Sequence, residues 1–171
     1  SGESADIAIG ATADLDEASS SPQTVSTINV SFDEDAVDAS NVDASDVSVR
    51  NGTKNPLTDD SDFSDVSVGT DSKTVDITLA SRFEVSEGDS FNVTFNNNSV
   101  NVNDNVPVTM NVDVNSSSDD IDSYSATGFI GDTSAPRFSV DQAAGVSAVA
   151  TGDTVYQGEE ELTFIDTGGA V

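Results

Sequence analysis

Thirty-two Asp and Glu residues in a chain of 171 place carboxylates along almost every stretch, yet the same chain holds no His and no Cys. Without them it has neither an imidazole base for neutral pH nor a thiolate nucleophile. No G-x-S-x-G nucleophile turn and no glycine-rich phosphate loop occurs either. A glycosidase-type carboxylate pair carries no information where acids are everywhere, so the sequence is read as that of a protein that is not an enzyme. Oxygen-rich clusters are the second chemistry on offer, because Ca²⁺ takes six to eight oxygen ligands from Asp, Asn and carbonyl groups. The candidates are Asp59, Asp60 and Asp62 in TDDSD, Asp119, Asp120 and Asp122 in SDDID, and Asp104 among the asparagines of NVNDN. None has EF-hand spacing, and a solvated acidic surface accounts for Asp59 and its neighbours better than a metal does; beyond Ca²⁺ at these positions no cofactor is implied. The third chemistry is sugar attachment. Asn-x-Ser/Thr sequons stand at Asn29, Asn51, Asn92, Asn97 and Asn115, each a candidate acceptor of an N-linked glycan in an extracellular protein. Asn29 and Asn92 fall on the polar phase of their segments.

The charge sets the conditions under which such groups would work. Five basic residues against 32 acidic ones leave a formal net charge of −27, which repels itself strongly in dilute buffer. At molar salt the Debye length shrinks to about 3 Å and the repulsion is screened, while the carboxylates keep the surface hydrated. The balance is that of a halophile's protein. Two Lys and three Arg cannot neutralise a phosphate track, so nucleic acid is excluded as a partner, and no apolar run approaches the roughly 20 residues of a membrane span.

The elements that must position these groups are strands. Ile7, Ile9, Ala11, Ala13 and Leu15 alternate with small or polar residues, as do Ile28, Val30 and Phe32, and Val106, Val108, Met110, Val112 and Val114. Such period-two patterning is the signature of half-buried β-structure. Further short strands are expected at 46–50, 63–70, 73–80 and 90–96, separated by turn signals such as RNGT, NPLTDD and SEGD. About seven strands in this rhythm predict an all-β, immunoglobulin-like antiparallel β-sandwich. Residues 33–45 could hold a single turn of helix, although their composition makes a poor one.

After Pro136 the texture turns Ala- and Gly-rich. The chain accordingly divides into a sandwich domain over 1–132 and a linker with a C-terminal strand segment over 133–171. That segment ends in TVYQGEEELTF, with Val155, Tyr156, Leu162 and Phe164. It is too short to bury a core of its own, so these four residues are expected to dock on the chain's own sandwich, on a following domain or, by strand addition, on a neighbouring subunit, with the N-terminal Ile7 and Ile9 as the alternative donated strand.

The string GDTVYQGEEELTF resembles the segment G-x-T-[VI]-[YF]-Q-G-E-E-x-[LV]-T-F of haloarchaeal cell-surface (S-layer) glycoproteins, through Gly152, Thr154, Val155, Tyr156, Gln157, Gly158, Glu159, Glu160, Leu162, Thr163 and Phe164. In that family the segment lies near the mature N-terminus, here near the C-terminal end. The resemblance implies an extracellular, cell-surface glycoprotein of a salt-loving archaeon built from immunoglobulin-like domains. The expectation is a structural subunit that polymerises with copies of itself into a filament or lattice by strand complementation. The alternative is an adhesin or calcium-stiffened spacer module of a larger surface glycoprotein.

Overall fold

The computed structural model describes residues 7–52, 54, 56–102, 106–117, 119–130, 154–157 and 160–166. Twelve strands are assigned among them: β1 (Ile7–Asp14), β2 (Gln23–Phe32), β3 (Val37–Asp38), β4 (Val47–Asn51), β5 (Phe63–Val68), β6 (Thr74–Val85), β7 (Ser90–Phe95), β8 (Asn101–Val102), β9 (Val106–Asn115), β10 (Asp120–Ile130), β11 (Thr154–Gln157) and β12 (Glu160–Asp166). One sheet, here sheet A, has the order β11-β12-β1-β7-β4; sheet B has the order β10-β9-β2-β6-β5; β3 and β8 form a separate small pair. Every pairing within sheets A and B is antiparallel.

The alternation read from the sequence is what builds the core between the sheets. Ile9, Ala11 and Ala13 of β1, Ile28, Val30 and Phe32 of β2, and Val108, Met110, Val112 and Val114 of β9 are all buried. Aromatic rings knit the layers: Phe32 of sheet B meets Phe95 of sheet A at 6.2 Å, and Phe83 meets Phe91 edge-on at 6.0 Å, both within the range of favourable ring pairs. Tyr124 of β10 crosses the sandwich, its hydroxyl lying 3.2 Å from the Ala11 carbonyl and 3.3 Å from that of Phe91. Burial holds that hydroxyl far above its ordinary ionisation range, and the nearby Asp122 carboxylate adds to the effect.

The chain is thus the antiparallel β-sandwich with a C-terminal strand extension that its alternation predicts. Its strand order has a particular feature: β2-β6-β5 and β4-β7 occupy the places of strands B-E-D and C-F of an immunoglobulin domain, while β1 stands beside β7 and β9 beside β2. β1 therefore takes the place next to β7, and its other side is paired with β12.

Two local outcomes differ from the expectation. β10 has no counterpart in the sequence reading, because a register irregularity between Asp120 and Asp122 breaks the period and its later inward positions, Ala126 and Gly128, are small. In 33–45 the chain forms β3 and then a 3₁₀ turn over Ala44–Asp46, where Asp43 Oδ1 accepts from Ser45 N at 2.8 Å and Asp46 Oδ2 from Asp43 N at 3.1 Å.

Candidate functional site

The outer edge of β1 is the candidate site. Its sequence, IAIGATAD, has none of the devices that protect an exposed edge: no Lys, no Pro and no charge before Asp14. Left open, it would present a row of unpaired backbone groups beside small apolar side chains. In the structure β12 of the same chain fills it, pairing Ile7 with Asp166, Ile9 with Phe164, Ala11 with Leu162 and Thr12 with Glu161. β11 then pairs with β12, placing Val155 opposite Leu162 and Tyr156 opposite Glu161.

Read across the whole of sheet A, these registers form rows of one character each. Val155, Leu162, Ala11, Val93 and Val49 make one row, and Phe164, Ile9, Phe95 and Val47 another. Ala11, Val93, Val49, Ile9, Phe95 and Val47 are buried core residues. The intervening rows are Thr154-Thr163-Gly10-Thr94-Ser48 and Tyr156-Glu161-Thr12-Asn92-Arg50. Since side chains alternate faces with period two, the C-terminal strands continue the pattern of the sandwich without a slip. Val155, Leu162 and Phe164 hold positions in core rows; Tyr156, grouped with them in the sequence reading, belongs to the polar phase. Ile7 and Ile9, the alternative donor, lie on a strand that has partners on both sides, β12 and β7.

Gly10, which the sequence reading passed over, is required by this arrangement. A Cβ there would lie 2.9 Å from the Val93 carbonyl oxygen and 2.5 Å from Thr94 Oγ1, so β1 can approach β7 only with hydrogen at that position.

The sequons are not equivalent. Asn51 must be corrected as a candidate: it is 1% exposed, and its Nδ2 donates to the Glu84 carbonyl and to Asp89 Oδ2, each at 2.8 Å. Both hydrogens of the nitrogen that would carry a glycan are committed, with no route to solvent. Asn29 Nδ2 donates to Asp76 Oδ1 across β2 and β6, and Asn115 Nδ2 donates to Asn29 Oδ1 at 3.0 Å, so two sequons brace each other on the outer face of sheet B. Asn92 Nδ2 donates to Thr12 Oγ1 at 2.6 Å, with the Ala11 carbonyl at 3.3 Å. Asn97 is exposed, in a turn where its φ is 59°, a left-handed conformation that Asn tolerates; its Nδ2 donates to Asp46 Oδ1 at 2.9 Å.

The calcium candidates do not assemble. Among the described residues no group of three or more acidic side chains is placed to hold a metal ion. Asp62 is instead a local brace, its Oδ2 accepting from the amides of Thr58 and Asp59 at 3.0 Å each, at the start of the 3₁₀ turn Asp60–Asp62. Asp59 and Asp60 are exposed, and Asp104 lies outside the described residues.

The acidic residues otherwise clothe the surface: of the described carboxylates only Asp46 and Asp122 are buried. Several serve the backbone. Asp71 accepts from Lys73 N, Thr74 N and Thr74 Oγ1 at 3.0–3.1 Å, and the first of these hydrogen bonds does most to hold its carboxyl below the usual range. Asp35 is lowered by its 2.7 Å contact with Lys73, whose own ionisation is raised by the same contact. Asp113 goes the other way, pushed up first by partial burial and then by repulsion from Asp120.

No protein-family model, curated protein or solved structure matches this chain.

Proposed function

We propose that this chain is a structural subunit of an extracellular surface assembly of a halophilic archaeon, a filament or S-layer-like lattice, in which the C-terminal strand pair of one subunit completes sheet A of the next. The observation that carries the reading is the match between β12 and the edge of β1: an edge with no protection of its own, met by a strand whose alternation continues the sheet row by row. A backbone ladder of this kind is indifferent to which copy of the chain supplies the strand. Residues 131–153 connect β10 to β11, and a stretch of that length spans up to about 80 Å when extended, several times the roughly 14 Å radius of gyration of a sandwich this size. Donation to a neighbour is heterologous and head-to-tail, and so propagates. The acidic surface, the sequons at exposed or half-exposed positions and the S-layer-like string support a place on the surface of a salt-loving cell.

The test uses two single-cysteine variants of the full chain. Thr12 and Glu161 are register partners, with the Cα separation of about 4.5–5.5 Å of an antiparallel pair, inside the range a disulfide can close. Thr12→Cys and Glu161→Cys proteins are mixed in molar salt, allowed to assemble and oxidised. Exchange between subunits gives a covalent dimer that contains one of each. A mixture that stays monomeric, while the double variant closes within each chain, eliminates strand exchange.

A further inference from the structure

The outer face of sheet A carries a second feature. Beside β7 runs an open groove of about 590 Å³ lined by Thr12, Ser48, Arg50, Thr58, Asn92 and Thr94, together with Gly52, Ser90 and Asn96. Three properties set it apart from the rest of the surface. No carboxylate is among its described lining residues, although Glu161 stands beside Thr12 in the same row of the sheet. Among the described residues its cation has no counter-ion: the ion pairs there are Lys54–Asp89 and Lys73–Asp35, and Arg50 is exposed. Its hydroxyls and amides are already oriented. Asn92 donates to Thr12 Oγ1 at 2.6 Å and accepts from Thr94 Oγ1 at 2.8 Å, which leaves the Thr12 hydroxyl proton and the Thr94 oxygen lone pairs free to face outward.

We propose that this groove binds an extended anionic saccharide, a polymer bearing carboxylate or sulfate groups, with Arg50 holding the anion and the Ser, Thr and Asn side chains matching the sugar hydroxyls. A guanidinium presents a planar fork that fits a carboxylate or sulfate in a bidentate manner. Side chains that both donate and accept suit a ligand whose hydroxyls do the same. The side chains from Ser90 to Asn96 repeat along β7 every second residue over about 20 Å, so the ligand is a chain rather than a small ion. No aromatic side chain is among its described lining residues, so binding is weak for a single site and gains strength where many copies face one polymer. The inference stands independently of strand exchange between subunits.

Titration with tetragalacturonate in molar NaCl, followed by amide chemical shifts, tests it against neutral maltotetraose as control. Shifts centred on Thr12, Arg50, Asn92 and Thr94 with the uronate, and none with the neutral sugar, are the expected result. Arg50→Gln, an exposed change that leaves melting unaltered, weakens binding at least about fivefold, and Arg50→Lys falls between, because it keeps charge but loses the fork. Repeating the titration on protein from the native host before and after deglycosylation separates the sources. Binding seen only after sugar removal assigns the groove to a glycan carried by the assembly, whereas binding in both assigns it to a free polysaccharide. Equal response to the two tetrasaccharides, or an Arg50→Gln protein that binds as the parent does, overturns the proposal.

Discussion

At the scale of single residues, the acidic side chains divide into those that brace the backbone and those the fold tolerates at a cost. Asp113 is of the second kind: partial burial and Asp120 raise its carboxyl above the value of 3.8 expected in the unfolded chain. A carboxyl shifted in this direction contributes stability that is fully present below 3.8 and lost as pH rises through the folded value. Asp113→Asn should therefore be more stable than the parent near pH 7, by up to about 0.5 kcal/mol given its exposure to solvent, with the gain vanishing at about pH 3 where the parent is itself protonated. Thermal melts at the two pH values check this, and a variant less stable at pH 7 contradicts it. Asp71 has the opposite sign: its carboxylate favours the fold above 3.8, and that contribution fades as pH falls below it. Neither role was legible in the sequence, where one Asp resembles the next. Asn51 shows the same limit, since NGT reads as a glycan acceptor until Asp89 and the Glu84 carbonyl, more than thirty positions away, are seen to take its nitrogen.

At the scale of elements, alternation in the sequence was a reliable guide wherever large β-branched residues recur on one face, as in β2 and β9. It failed in β10, where the irregularity at Asp120–Asp122 changes the phase and small residues take the inward places. The phase of the C-terminal strands was misread at Tyr156, which was grouped with Val155 although it stands in the polar row, and their partner was not legible, because nothing local specifies which edge a strand will join. The weak point of that junction is Gly10. Gly10→Ala forces a methyl against the Val93 carbonyl, and the resulting shift of β1 should cost about 1–3 kcal/mol. Hydrogen exchange should reveal it as faster opening of β12 and β1 than of sheet B. Uniform protection across both sheets would mean that β1 has room the geometry denies it.

At the scale of the whole molecule, the charge of −27 is spread over the surface of a sandwich whose interior is largely Val, Ile, Phe and Ala. Such a thin core leaves little reserve against self-repulsion. Lowering salt from molar to tenth-molar lengthens the Debye screening distance from about 3 to about 10 Å, and melting temperature should fall steadily over that range. A midpoint independent of salt would show that the carboxylates are not the governing term. The charge behind this expectation could be read from composition alone, since it depends on totals rather than on placement.

The row pattern of sheet A also sets how subunits could be spaced. Sliding the last strand along β1 by one residue would put Glu161 and Thr163 at the row positions where Leu162 and Phe164 now stand, reversing the alternation. A slide of two residues keeps the alternation but sets Asp166 in the place of Phe164, or Glu160 in the place of Leu162, so the observed register is the one these rows favour. A thread built through this joint would have a single fixed repeat and would resist stretching.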